Sequence, residues 1–150
     1  MIAILTTLIM AATPYQATVV AVHDGDTITV RSDITTKIRL FGIDAPELKQ
    51  PHGQASKQAL SGLVFGKTVT VTPANKDRYG RTVAQIKADG VDVNNKMVEL
   101  GAAWWYTDYA KNDTIKQQLQ SDAQGKRIGL WADKNPMPPW DFRKKKPSLK

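Results

Sequence analysis

Three short stretches of this 150-residue chain hold the side chains best placed by type and spacing for chemistry. They are Asp24-Gly25-Asp26-Thr27, the run from Arg39 to Glu47 (RLFGIDAPE), and Asp77-Arg78-Tyr79-Gly80-Arg81. Asp26 and Asp44 are hard oxygen donors. With a backbone carbonyl and waters they suit a calcium ion, which takes six to eight oxygen ligands. Glu47, three residues beyond Asp44, is near enough to orient or deprotonate a water beside such an ion. Arg39 and Arg81 are planar forks suited to a bidentate grip on phosphate. A phosphodiester under attack gathers negative charge on its equatorial oxygens, and two guanidinium groups and a divalent cation oppose that charge. Each stretch alone is commonplace: DGDT is a hairpin turn, and D-x-P-E is a strand terminator. Their weight comes from standing together, in this order, on a strand-rich segment.

The elements that must position them follow from the surrounding pattern. Ala17 to His23 is rich in β-branched residues and predicts a strand, Asp24-Gly25-Asp26 a turn, and Thr27 to Arg31 the second strand of a hairpin. Thr35 to Ile43 predicts a third strand, with Ile38 and Leu40 on one face and Lys37, Arg39 and Phe41 on the other. It ends at Asp44-Ala45-Pro46-Glu47, because proline cannot donate to a ladder. Gly53 to Phe65 carries apolar residues at helical spacing. Lys67 to Thr72 predicts a fourth strand stopped at Pro73, and Thr82 to Ala88 a fifth, followed by a tight turn at Asp89-Gly90. Val93 to Leu100 predicts a helix stopped by Gly101. Thr114 to Gln124 predicts another, capped by Asp113 and stopped by Gly125. Five short strands with a helix inserted between the third and fourth, and further helices behind, predict an α+β domain built on a small antiparallel barrel. Closed along a Greek-key path, it would be a five-stranded OB-fold β-barrel, an architecture that binds oligonucleotides.

The ends differ from the body. Residues 1–22 carry no charged side chain, and Met1 to Ala12 is almost wholly apolar. Twelve residues are too few for a bilayer span, which needs about 20, and match the apolar core of an export signal. The small residues Ala11, Ala12 and Ala17 offer cleavage positions. The reading is therefore a leader over 1–17, a domain over 18–134 and a tail over 135–150, with the product exported and left without a stable membrane anchor. Asn135 to Trp140 holds three prolines and should lie extended, with Trp131 and Trp140 as anchors. The basic run from Arg143 onward should be a solvated tail or a non-specific phosphate-contacting arm. The chain has 21 Lys and Arg against 14 Asp and Glu, a net of +7, of which the last ten residues supply +4. That balance favours a polyanionic partner. The absence of cysteine excludes disulfides, thiolate zinc sites and cysteine nucleophiles.

From Thr18 to Trp131 the sequence resembles the staphylococcal-type nucleases, or thermonucleases, and in particular the bacterial exported branch of that family. The resemblance rests on the three motifs together, and on Trp104-Trp105-Tyr106, Gly129-Leu130-Trp131 and the Pro-Pro-Trp segment. It implies an OB-fold, Ca²⁺-dependent phosphodiesterase. The family's metal-binding aspartates fall on Asp26 and Asp44, and its backbone carbonyl ligand on Ala45. Threonine is frequent at that last position, so a hydroxyl is missing here, but the carbonyl does not depend on the side chain. The catalytic residues fall on Arg39, Glu47 and Arg81. Substrate contacts fall on Tyr79, on Arg78 where lysine is common, and on Tyr109, with Tyr106 the other candidate for that second tyrosine. The resemblance further implies a monomer that cleaves single-stranded or locally unpaired DNA and RNA with low sequence specificity, leaving 3′-phosphate ends. A non-catalytic nucleic-acid-binding OB module is the alternative. It has no use for Asp26, Asp44 and Glu47, which repel phosphate unless a cation joins them.

Overall fold

The computed structural model describes residues 13–145; residues 1–12, where the sequence predicts most of a leader, and the last five residues, 146–150, lie outside it. The first hairpin joins β1 (Tyr15–Asp24) to β2 (Thr27–Arg31), and β3 (Thr35–Leu40) pairs antiparallel with β2. β1 starts two residues earlier than its β-branched run, because Tyr15 to Thr18 pair with β5 (Thr68–Lys76). Register shifts after Val19 and Val22 let the same strand pair with β2 along its second half. Such bulges bend a strand and curl its sheet. β6 (Thr82–Ala88) pairs antiparallel with β5 and parallel with β3, Ile38 opposite Thr82 and Leu40 opposite Ala84, and this last pairing closes the barrel.

The barrel is thus mixed and not antiparallel throughout. The reason is arithmetical: strand direction cannot alternate all the way round a closed ring of five. The parallel seam is held by buried Asn94, whose Nδ2 donates to the Phe41 and Ala84 carbonyls at 2.9 and 3.1 Å while its Oδ1 accepts from the Ile86 N–H at 3.0 Å. Val19, Ile28, Val30, Ile38, Leu40, Val69, Val71 and Ile86 fill the interior, in one core with Leu60 and Val64 of α1 (Gly53–Val64) and Met97 and Val98 of α2 (Val93–Glu99).

Four further boundaries differ from the sequence expectation. The third strand ends at Leu40, not Ile43. Gly42 takes φ +77°, a left-handed turn that lifts the chain off the barrel, and β4 (Ile43–Asp44) pairs instead with β8 (Trp104–Trp105). β5 runs past Pro73, because the register shift between Pro73 and Asn75 accommodates the missing donor. Beyond a two-residue β7 (Val91–Asp92) and the short α3 (Thr107–Ala110), α4 (Thr114–Lys126) passes through Gly125. Arg127 takes the left-handed cap, and the chain turns only where Gly129 docks closely on Leu100 and Gly101. A 3-10 turn (Gly129–Ala132) follows. The proline segment then leads into α5 (Pro139–Lys145), where the reading expected extended chain and a solvated tail. Proline is tolerated in a first helical turn, where its missing N–H has no intrahelical partner to lose.

Candidate active site

The β1–β2 turn places Asp26 under the barrel rim. Its N–H is held by Asp24 Oδ1 at 3.0 Å, its Oδ1 accepts from the Thr27 hydroxyl, and its Oδ2 accepts from the Ala45 N–H at 2.7 Å. Gly25 is needed for this approach, since a Cβ there would lie 2.7 Å from that of Ala45 and 2.8 Å from that of Ser56. The left-handed turn at Gly42 brings Asp44, 1% exposed, against the same spot. Arg39 on β3 bridges the two aspartates, Nη1 at 3.4 Å from Asp26 and Nη2 at 3.3 Å from Asp44. It is itself braced by the Leu40 and Ile43 carbonyls at 3.1 and 2.8 Å.

Glu47 sits in the short turn before α1. Its N–H donates to Gln50 Oε1 at 3.0 Å, and Gly53 packs so tightly beneath that no Cβ fits against the Glu47 carbonyl. Arg81 comes from the β5–β6 loop, which Asp77 organises. One Asp77 oxygen accepts from the Tyr79 and Arg81 N–H groups at 2.9 and 3.0 Å, and the other from Arg81 Nε at 2.6 Å. Arg78 and Arg81 lie 4.9 and 5.5 Å from the centre of the exposed Tyr79 ring.

All of these side chains line one cleft of about 620 Å³. It holds Asp26, Asp44, Ala45, Arg39, Glu47, Arg81, Arg78, Tyr79 and Tyr109, every site position read from the sequence. Tyr106 lines it too, its ring centre 5.0 Å from that of Tyr109, so both candidate tyrosines face the same space. The sequence reading missed three participants. Asp24 and Asp77 stood inside the quoted motifs but were given no role. Arg143, on α5, donates through Nη2 to Asp44 Oδ2 at 2.7 Å, and through Nη1 to Asp44 Oδ1 at 3.1 Å and Glu47 Oε1 at 2.9 Å. Its only sequence signal was the basic run itself.

The carboxyls influence one another strongly. Burial, and then the neighbouring charge of Asp26, push Asp24 up to about 7. Burial also works to raise Asp26, but Arg39, Asp24, the Ala45 N–H and Thr27 outweigh it and hold Asp26 below the ordinary range. Asp44 lies above that range because burial, aided by the Asp26 charge, exceeds the pull of Arg143 and Arg39. Among the described residues no group of three or more His, Asp or Glu side chains is arranged to hold a metal ion. A cation here would therefore rest on Asp26, Asp44, backbone and water. That donor set is all hard oxygen, and Asp26, Asp44 and Glu47 together outnumber the two arginines bonded to them. Both features suit a calcium-class ion.

Residues 37–133 match the family model described as staphylococcal nuclease homologue. A protein of Escherichia coli named as an uncharacterized endonuclease is 49% identical over 130 residues, covering 85% of this chain and 84% of that protein. One of the same name from Haemophilus influenzae is 45% identical over 84% of this chain and 71% of its own. A micrococcal nuclease of Shigella flexneri is 37% identical over 87% of this chain and 81% of its own.

Proposed function

The chain belongs to the staphylococcal nuclease family, and we propose that it is a calcium-dependent nuclease that hydrolyses phosphodiester bonds of DNA and RNA with little sequence preference. The reading rests above all on one observation: Asp26, Asp44, Glu47, Arg39 and Arg81 converge on one cleft from three separate stretches of the chain. Bound by Asp26, Asp44 and the Ala45 carbonyl, calcium would neutralise a non-bridging phosphate oxygen. Glu47 takes a proton from the attacking water, whose oxygen forms the new bond to phosphorus. Arg39 and Arg81 hold the equatorial oxygens as charge builds on them. Arg81 is suited to this because Asp77 takes its Nε, which leaves the end of the fork to the phosphate. The P–O5′ bond breaks, the leaving oxygen acquires a proton, and the products carry a 3′-phosphate and a 5′-hydroxyl. The exposed rings of Tyr79 and Tyr109, with Arg78 beside them, offer stacking and phosphate contacts to an unpaired strand. The protein works as a monomer outside the cytoplasm once its leader is removed.

The test is turnover of single-stranded DNA and of RNA with calcium or with chelator, followed by end-group analysis. Calcium-dependent cleavage to 3′-phosphates is expected, and Glu47→Gln should lose most of it. Full cleavage in chelator, or by the Gln variant, overturns the assignment.

A further inference from the structure

We propose that Arg143 is a positioning residue of this active site: it aims the Glu47 carboxylate and fixes it beside Asp44. The inference deepens the reading above and rests on Glu47 acting on the water. The guanidinium makes a two-pronged contact with Asp44, and the nitrogen that reaches Asp44 Oδ1 also donates to Glu47 Oε1. One rigid group shared by two carboxylates sets their separation, which a point-charge ammonium on a flexible stem does not do. Among the described residues Arg143 is the only side chain bonded to the Glu47 carboxylate, and the Glu47 side chain stays 37% exposed on its turn even with that contact made. Without it, the negative charge of buried Asp44 repels Glu47 towards solvent. Asp44 is not used up by the contact, because an ionised carboxylate has about four acceptor positions.

The arginine is delivered by a built support. Trp140, on the same helix, stacks on Tyr106 with ring centres 5.6 Å apart and planes at 24°, and meets Trp104 edge-on at 5.5 Å. Just before the helix, the Met137 carbonyl accepts from Gln50 Nε2 at 2.5 Å, and the same Gln50 side chain accepts the Glu47 N–H. The C-terminal segment therefore holds Glu47 twice, by backbone through Gln50 and by side chain through Arg143.

The experiment is steady-state kinetics on single-stranded DNA at saturating calcium, with calcium binding by calorimetry and a thermal melt for each variant. Arg143→Ala is expected to lower kcat about 10- to 100-fold, the usual effect of removing a partner that orients a ligand, with KM little changed. Arg143→Lys should recover only part, and Lys144→Ala, the same loss of charge one residue along, should leave kcat alone. If Arg143 acts through Glu47, adding Arg143→Ala to Glu47→Gln should cost little more. A rise in KM at unchanged kcat would make the residue a phosphate-gripping arm and overturn the proposal. So would unchanged or faster turnover with tighter calcium binding, which would mark a plug on the cation site, and so would fully additive losses in the double variant. Full activity of Glu47→Gln alone would remove the premise, and the proposal with it.

Discussion

Asp77 lines the cleft but does its work through the loop it organises. Three donors, two backbone and one guanidinium, converge on its two oxygens, and the loop that carries Arg78, Tyr79 and Arg81 closes around them. Asp77→Ala should leave the barrel folded, because the loop is exposed and outside the core. It should lower kcat/KM by about 10- to 100-fold, the equivalent of one hydrogen bond to a charged group. Kinetics beside a circular-dichroism melt check both halves. At this scale the sequence was most legible, for a physical reason. Asp26, Asp44, Glu47 and Arg81 each stand at a strand end or tight turn, where local rules place the side chain, and the motifs bring their own supports: Gly25 for the close turn, Gly42 for the lift, Asp77 for the loop. Arg143 was not legible. Its partners Asp44 and Glu47 lie 99 and 96 residues away, and a run of basic residues after three prolines has no local feature distinguishing an active-site arginine from a solvated one.

Among the elements, α4 buttresses the segment that presents Asp44. Gln120 Oε1 accepts the Trp105 N–H at 2.8 Å on β8, and the buried stem of Lys116 packs against Gly42. Asp113 secures the start of that helix, capping the Lys116 N–H at 3.0 Å and pairing with its Nζ at 2.9 Å. Asp113→Ala should lower the unfolding free energy by about 3 kcal/mol, about 1 from the lost cap and the rest from leaving a buried ammonium unpaired. Chemical denaturation measures it. Burial works to raise the Asp113 carboxyl, but the bonds from Lys116 outweigh it and hold it below the ordinary range. Its contribution is therefore whole above the unfolded-chain value of about 3.9 and lost as pH falls through the lower folded value. Between neutrality and pH 3 the wild type should lose more stability than Asp113→Asn, which carries no charge to titrate. The Asp113 cap was readable because it is local to the helix. The end of α4 was not, because docking of Gly129 on Gly101 sets it, and tertiary contact overrides the glycine at 125.

For the molecule as a whole, the two chain ends make different demands. Tyr15 to Thr18 pair with β5, and Ala17 is buried in the core, so a chain that begins near residue 13 keeps β1 whole and one that begins at Thr18 does not. A chain begun at Thr18 should melt measurably lower than one begun at Thr13. At the other end, the +4 of the last ten residues separates into unlike parts. Arg143 is engaged with two carboxylates and has little charge to offer a distant phosphate; Lys144, Lys145, Lys146 and Lys150 supply four further positive charges, of which the last two lie outside the described residues. Two truncations separate these roles. A chain ending at Arg143 should keep its kcat, while the slope of log affinity for single-stranded DNA against log salt becomes shallower by up to about 3, the counterions four lysines can release. A chain ending at Asp133 keeps the residues of the barrel core and the three motifs that carry Asp26, Arg39 to Glu47 and Arg81, yet loses Met137, Trp140 and Arg143. It should fold and bind nucleic acid but turn over no faster than Arg143→Ala. If it instead cleaves at the full rate, the C-terminal helix is no part of the catalytic apparatus and the barrel alone suffices. Salt-dependent binding isotherms and single-turnover rates on the two truncated chains decide between these outcomes.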